Sequence, residues 1–319
     1  MQAAVIYPQG GMPEYTTCPE PQAQGEDQVL VAVKAVSLKH FDKGRATGQH
    51  YSSSAPREGG RIPGGDGVCL LPDGRRVYGM GTTGMLAEKA VIEKDRIVPV
   101  PDNLDDAIAA ALPNAVIGAA MALRFKADIQ PGDVVLVNGA TGFTGRVAVQ
   151  LARHYGAGKV IATGRNVASL EELKSLGADD TVSLLQDDEA LLTQFKQLQP
   201  DVVIDYLWGH SAELILASLK GQGGFTPHVR FVSVGAMAGD IIQLSAANLR
   251  SVNLQLTGSG LGAWTRGQVK QLFSTLLPEA FALAAAGALQ VKTTTVPLEN
   301  ISTLWNQDVS NGERLVVLI

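Results

Sequence analysis

Between Asp133 and Gly260 the chain alternates short, unbroken apolar runs with longer amphipathic ones. "VVLVN" (134–138) precedes a helical pattern at about 145–155, and "KVIATG" (159–164) precedes "ASLEELKSLG" (168–177). "DTVSL" (180–184) precedes "DEALLTQFKQL" (188–198), and "DVVIDYL" (201–207) precedes "SAELILASL" (211–219). "VRFVSVG" (229–235) and "LQLTGSG" (254–260) complete six strands. The runs are rich in Val and Ile and do not alternate with polar residues, the pattern of strands buried on both faces. Strands alternating with helices predict a parallel sheet with right-handed crossovers.

The flanks differ. The first hundred residues carry "QVLVAVKAVS" (28–37), "RRVYGM" (75–80) and "KAVIEK" (89–94) among many glycines and prolines, which predicts an irregular, β-rich domain. "DNLDDAIAAAL" then offers Asp102 or Asn103 as the N-cap of an apolar helix. Ala107 to Leu123 is Ala-rich and interrupted by Pro113, Asn114 and Gly118, so it reads as a packed helix pair or domain junction, not a membrane span. The tail from 265 holds an Ala/Leu-rich helical stretch and a last strand, "ERLVVLI".

With 319 residues, two domains are expected. A net charge of −5 without a basic face predicts no nucleic-acid partner, and the apolar pattern predicts no membrane partner. "MQAAVIYPQGG" lacks the basic start and apolar core of a secretory signal. Two cysteines, Cys18 and Cys69, rule out a disulfide framework and fit a reducing, cytoplasmic setting.

The sharpest chemical signal is "VLVNGATGFTGRVAVQLA" (135–152), a strand, a glycine turn and a helix start. Glycines at 139, 142 and 145 would let the backbone approach a pyrophosphate, whose charge the helix N-terminus favours. Ala140, Thr141, Gly142, Phe143, Thr144 and Gly145 are the expected contacts. NAD sites usually place an acid about 20 residues further on, for the ribose hydroxyl. Here "ATGRN" holds none, and Arg165, with Gly164 leaving room and Asn166 beside it, would pair with a 2′-phosphate. NADPH is therefore the expected cofactor. Leu207, Gly235 and Ser259, at the ends of later strands, are expected to complete its site.

With these motifs in this order, the chain resembles the medium-chain dehydrogenase/reductase superfamily, in its zinc-free quinone oxidoreductase branch. "RIPGGDGV", "RRVYGMGTTGMLAEKAVI", "LGADDTVS" and "RFVSVG" extend the resemblance over nearly the whole chain. It implies an α/β protein with a GroES-like β-rich catalytic domain (1–113 and 261–319) and a Rossmann doubly wound parallel-sheet domain (114–260). It also implies an active site in the cleft between them. The zinc-using relatives have cysteine where Lys39 stands, a His-Glu pair at Gly65-Asp66 and a second cysteine near Asn114. Zinc needs about three Cys, His or carboxylate ligands, and only Asp66 is left, so no metal is expected. None of the five histidines pairs at helical metal-site spacing.

The loop "SLKHFDKGR" is expected to face the nicotinamide, where Lys39 or His40 would hydrogen-bond a substrate carbonyl oxygen. A solvated charged loop, with Asp42 capping locally, is the competing reading. Lys39, His40 and Asn114 are the expected catalytic residues, and a homodimer the expected assembly. The substrate reading is a quinone or α,β-unsaturated carbonyl (enone). Its alternatives are an alkenal/enoyl reductase and a catalytically weak NADPH-binding sensor or partner protein.

Overall fold

The computed structural model of the chain describes residues 1–8, 11–39, 42–44, 59–307 and 312–319. His40, singled out above, lies outside the described residues. In chain order the strands begin with β1 (Gln2–Val5), β2 (Glu14–Thr17), β3 (Gln28–Ser37), β4 (Asp66–Leu70) and β5 (Arg76–Met80). They continue with β6 (Lys89–Glu93), β7 (Val98–Pro99), β8 (Val134–Asn138), β9 (Lys159–Gly164) and β10 (Asp180–Ser183). Last come β11 (Val202–Asp205), β12 (Val229–Ser233), β13 (Leu254–Gly258), β14 (Lys292–Pro297) and β15 (Glu313–Leu318). The helices used below are α1 (Asp106–Met121), α2 (Phe143–His154), α3 (Val167–Ser175), α4 (Asp188–Leu198) and α5 (Gly209–Ser218).

The chain forms two compact units, Met1–Pro113 with Phe273–Ile319, and Asn114–Leu272. The return to the first unit falls at 273, later than the 261 read from the sequence.

The first unit is built on a sheet ordered β14-β15-β3-β4-β5-β7, with β6 also paired to β3. Its pairings are antiparallel apart from β14 with β15. β3 shows why it can hold the sheet: Val31, Val33 and Ala35 are buried, while Ala32 is exposed and Lys34 half-buried between them. That period of two presents one apolar face to a core of Val33, Cys69, Val77, Met85, Ile92 and Leu315. β1, β2, β4 and β14 were not legible in the sequence, being short, glycine-rich or threonine-rich.

Ala107 to Leu123 is one helix continued by a wider turn at Ala122–Lys126, not a helix pair. Its cap is Asp105, which accepts from the amides of Ala107 (2.8 Å) and Ile108 (3.1 Å). Asp102 and Asn103 lie too early to reach them, and Asn103 instead donates to the Ala285 carbonyl. By length and composition Asp106–Lys126 could cross a membrane, yet 72% of its apolar window is buried inside the protein, as in a core helix.

The second unit is a six-stranded, wholly parallel sheet in the order β10-β9-β8-β11-β12-β13. The four inner strands β9, β8, β11 and β12 are mostly buried, while the edge strands β10 and β13 are largely not. Leu136, Ile161, Val182, Val203 and Phe231 meet Phe195 and Ile215 from α4 and α5. From β8 the chain steps outward to β9 and β10, then returns to lay β11 on the other side of β8. The reversal opens a crevice at the carboxyl ends of β8 and β11, where ligands of such sheets bind.

Candidate active site

The turn after β8 is built from glycines for separate reasons. Gly139 has φ +83, a conformation side chains rarely adopt. A Cβ on Gly145 would lie 2.6 Å from Ala140 Cα and from the Gly139 carbonyl oxygen, so glycine here lets α2 dock on the turn. Gly142, the N-cap of α2, has ordinary φ −75, and a Cβ there would meet only the Gly139 oxygen at 3.8 Å. That open space faces a helix start with no side-chain cap and no acidic residue in its first turn. Unsatisfied amides and the positive end of the helix dipole meet an unfilled cradle, which fits a phosphate.

Phe143 is buried, so the turn's bulky middle residue points inward, and Thr144 packs against Gly118 of α1, where a Cβ would be 2.9 Å from Thr144 Cγ2. The turn is tied to β9 by Gly139 N donating to Thr163 Oγ1 (3.1 Å) and Ala140 N donating to the Thr163 carbonyl (2.8 Å).

At the end of β9, Arg165 is exposed and makes no hydrogen bond or ion pair with the described residues. A side chain on Gly164 would collide with Thr141, whose Cγ2 would be 2.4 Å from the added Cβ. The missing side chain at 164 therefore makes room for Thr141. Asn166 caps α3, its Oδ1 accepting from Ser169 N at 2.9 Å.

Gly235 donates its amide to the Asp205 carbonyl (3.2 Å), and the Leu207 side chain covers Gly139, within 2.8 Å of an added Cβ. Ser259 is buried, with its hydroxyl accepting from Trp264 Nε1 at 3.1 Å.

Four polar residues around this turn escaped the sequence reading. Arg146, 5% exposed, donates to the Thr141 carbonyl (3.3 Å) and pairs with Glu172 (2.9 Å), bracing the turn from beneath. Nothing in the sequence separates it from a surface helix arginine. Asn138, Thr163 and Asp205 are each fully buried at the end of an apolar strand. A polar residue closing a run of Val and Ile was the available signal.

The first unit contains a second site. Lys39 is 2% exposed, with Nζ 2.5 Å from Asp66 Oδ1, 3.4 Å from Asp42 Oδ2 and 3.5 Å from Ser37 Oγ. Tyr78 donates its hydroxyl to Asp66 Oδ2 at 2.9 Å. Burial alone would lower the Lys39 pKa, but Asp42 and Asp66 outweigh it and hold the ammonium above its ordinary value. Burial pushes the Asp42 carboxyl up against the pull of Lys39, and burial with Asp66 raises Tyr78 well above its usual range, keeping it a neutral donor. Burial draws Arg314 down to about 10, opposed by Asp42 and Asp66. The two cations and two carboxylates balance.

These residues do not fit a zinc ion. An ammonium already fills the coordination space of Asp66 at contact distance, and the described residues contain no group of three His, Cys, Asp or Glu arranged for a metal. Asn114 is half-buried on α1 in the other unit. Cys69 is buried, and burial pushes its thiol to about 12, which makes it inert filler.

Residues 144–278 match the family model described as zinc-binding dehydrogenase. A protein of Emericella nidulans named "Probable NADPH-dependent quinone reductase" is 27% identical, covering 96% of each chain. The 2-methylene-furan-3-one reductase of Solanum lycopersicum is 36% identical over 56% of this chain and 50% of its own length. Among solved structures, the quinone oxidoreductase of Thermus thermophilus, described with its NADPH complex, superposes with a TM-score of 0.81 and 28% identity over the whole of both chains. A two-unit architecture with a parallel nucleotide-type sheet and a mixed sheet defines the class. Together these matches support the medium-chain dehydrogenase/reductase superfamily, in its quinone oxidoreductase branch, as the family this chain resembles.

Proposed function

We propose that this protein reduces a quinone or α,β-unsaturated carbonyl with NADPH and does so without zinc. The observation that carries the reading is the open, uncapped cradle at Gly142, followed by a second strand that ends in no acid and in an arginine without a partner among the described residues. The named activities of the Emericella, Solanum and Thermus relatives agree with it.

The cofactor supplies the hydride. Residues 139–145 bind its pyrophosphate, Arg165 its 2′-phosphate, and Leu207, Gly235 and Ser259 border it at the ends of later strands. The protein's further task is to stabilise charge growing on the substrate oxygen. A conjugated carbonyl spreads that charge, so hydrogen bonds can serve where a simple ketone would need a metal.

Lys39 is already committed to Asp66 and Asp42, which leaves His40 as the loop donor we assign to the carbonyl oxygen. Asn114 is assigned to the substrate side, and water or His40 delivers the proton. Steady-state kinetics of His40→Ala test the donor. The assignment expects kcat to fall by about 10²–10³ with NADPH affinity unchanged, and unchanged kcat would reject it. A cytoplasmic homodimer completes the proposal, and two free cysteines in the chain suit a reducing compartment.

A further inference from the structure

Asn138 and Asp205 are register partners at the carboxyl ends of β8 and β11, the two strands that flank the crevice. Their side chains bond across it, Asn138 Nδ2 donating to Asp205 Oδ1 at 2.8 Å and to Ser211 Oγ at 2.9 Å. On the other side, Thr163 at the end of β9 donates its hydroxyl to Asn138 Oδ1 at 2.7 Å and accepts from Gly139 N. Asp205 Oδ1 also accepts from the amides of Leu207 (3.0 Å) and Trp208 (3.1 Å). One chain of hydrogen bonds thus joins three adjacent strand ends to the two turns that follow β8 and β11.

The strands do not need these groups in order to pair, because backbone bonds already set the β8–β11 register. What the side chains fix is turn backbone. Trp208 has φ 55 and ψ −154, sparsely populated for any residue but glycine, and such conformations persist only where the surroundings hold them. The Asp205 carboxylate holds this one through two consecutive amides, which presses Leu207 onto Gly139 of the phosphate turn.

We propose that Asp205 and Asn138, keyed by Thr163, are positioning residues for the cofactor, locking the turn after β11 against the phosphate turn across the crevice. The proposal rests on the NADPH reading and adds to it the groups that set the shape of the site.

The experiment compares Asp205→Leu, Asp205→Asn, Asn138→Leu and Thr163→Val in the full chain by two readouts. One is hydrogen exchange at the Leu207 and Trp208 amides without nucleotide; the other is NADPH affinity by nicotinamide fluorescence. Asp205→Leu should free both amides and raise the NADPH dissociation constant about 10- to 100-fold, the worth of hydrogen bonds to a buried charge. Asn138→Leu should weaken binding similarly. Asp205→Asn keeps the Oδ1 acceptor for Asn138, Leu207 and Trp208 but loses the second Trp208 bond, to Oδ2 at 3.1 Å. Its affinity should therefore fall between those of the parent and Asp205→Leu, a partial rescue that packing alone would not give. If the leucine variants fail to fold, Thr163→Val, which removes only the bridging hydroxyl, still has to weaken binding about tenfold. Folded variants that bind NADPH like a parent that binds it well would overturn the inference. A parent that does not bind NADPH would instead overturn the cofactor reading, and the amide exchange would show separately whether Asp205 holds the turn.

Discussion

The Lys39 ammonium lies 2.5 Å from Asp66 Oδ1, and both side chains are buried among charges that sum to zero with Asp42 and Arg314. Removing one partner from such a set strands the others. Lys39→Met should therefore cost about 3–5 kcal/mol of stability, partly recovered in Lys39→Met/Asp66→Asn. The Lys39 pKa is raised, so its contribution is fully present below the ordinary lysine value of 10.5 and fades as pH climbs through the higher folded value. Urea unfolding of parent and variant at neutral and strongly alkaline pH measures both effects. A difference under about 0.5 kcal/mol at neutral pH would show that the pair does not hold the fold.

The same ammonium predicts the metal content. Purified protein should carry no stoichiometric zinc, and chelators should leave activity intact, because Lys39 rather than a ligand faces Asp66. Elemental analysis finding about one zinc per chain would contradict this.

Gly142→Val should abolish NADPH binding and leave the fold in place. The residue's φ is ordinary and its surroundings open, so a side chain costs the protein little while filling the cradle meant for the pyrophosphate. Normal NADPH binding by the variant would show that the phosphate lies elsewhere.

Arg165→Ala should remove most of the preference for NADPH over NADH, a loss of roughly 1.5–3 kcal/mol for a charge-assisted pair. Arg165 is exposed at the end of β9 with no competing acid partner among the described residues. Parallel titrations of both cofactors measure it, and equal affinities in the parent would reject the assignment.

The second unit was legible in the sequence because its signals are local, short apolar runs each followed by an amphipathic stretch. The six Val/Ile runs became the six strands, and 188–198 was a helix with the same limits as read from its periodicity. The glycines of the turn announced themselves, whereas the need for Gly164 beside Thr141 shows only once β9 lies against the turn. Less was legible where contacts are distant in sequence. Lys39 meets Asp66 only after β3 and β4 pair, so a loop read as solvated or catalytic hides a buried ion pair. Asn138, Thr163 and Asp205 likewise lie far apart along the chain and converge only when three parallel strands end side by side. The Ala-rich 107–123 stretch does hold the junction between the two units, but not a helix pair: Pro113 and Gly118 are breakers in isolation, yet here both lie within a single helix. Gly118 is needed there because Thr144 of α2 packs against it.

A protein that holds NADPH in this fold should give hydride to a conjugated carbonyl. The direct measurement is the loss of nicotinamide absorbance when purified protein is mixed with NADPH and either 1,4-benzoquinone or an enone, with NADH in parallel. The expected result is multiple turnovers with NADPH, much slower oxidation of NADH, and no dependence on added zinc. Tight NADPH binding without turnover across a broad panel of quinones, enones and alkenals would contradict it, and would make the protein a nucleotide-binding sensor.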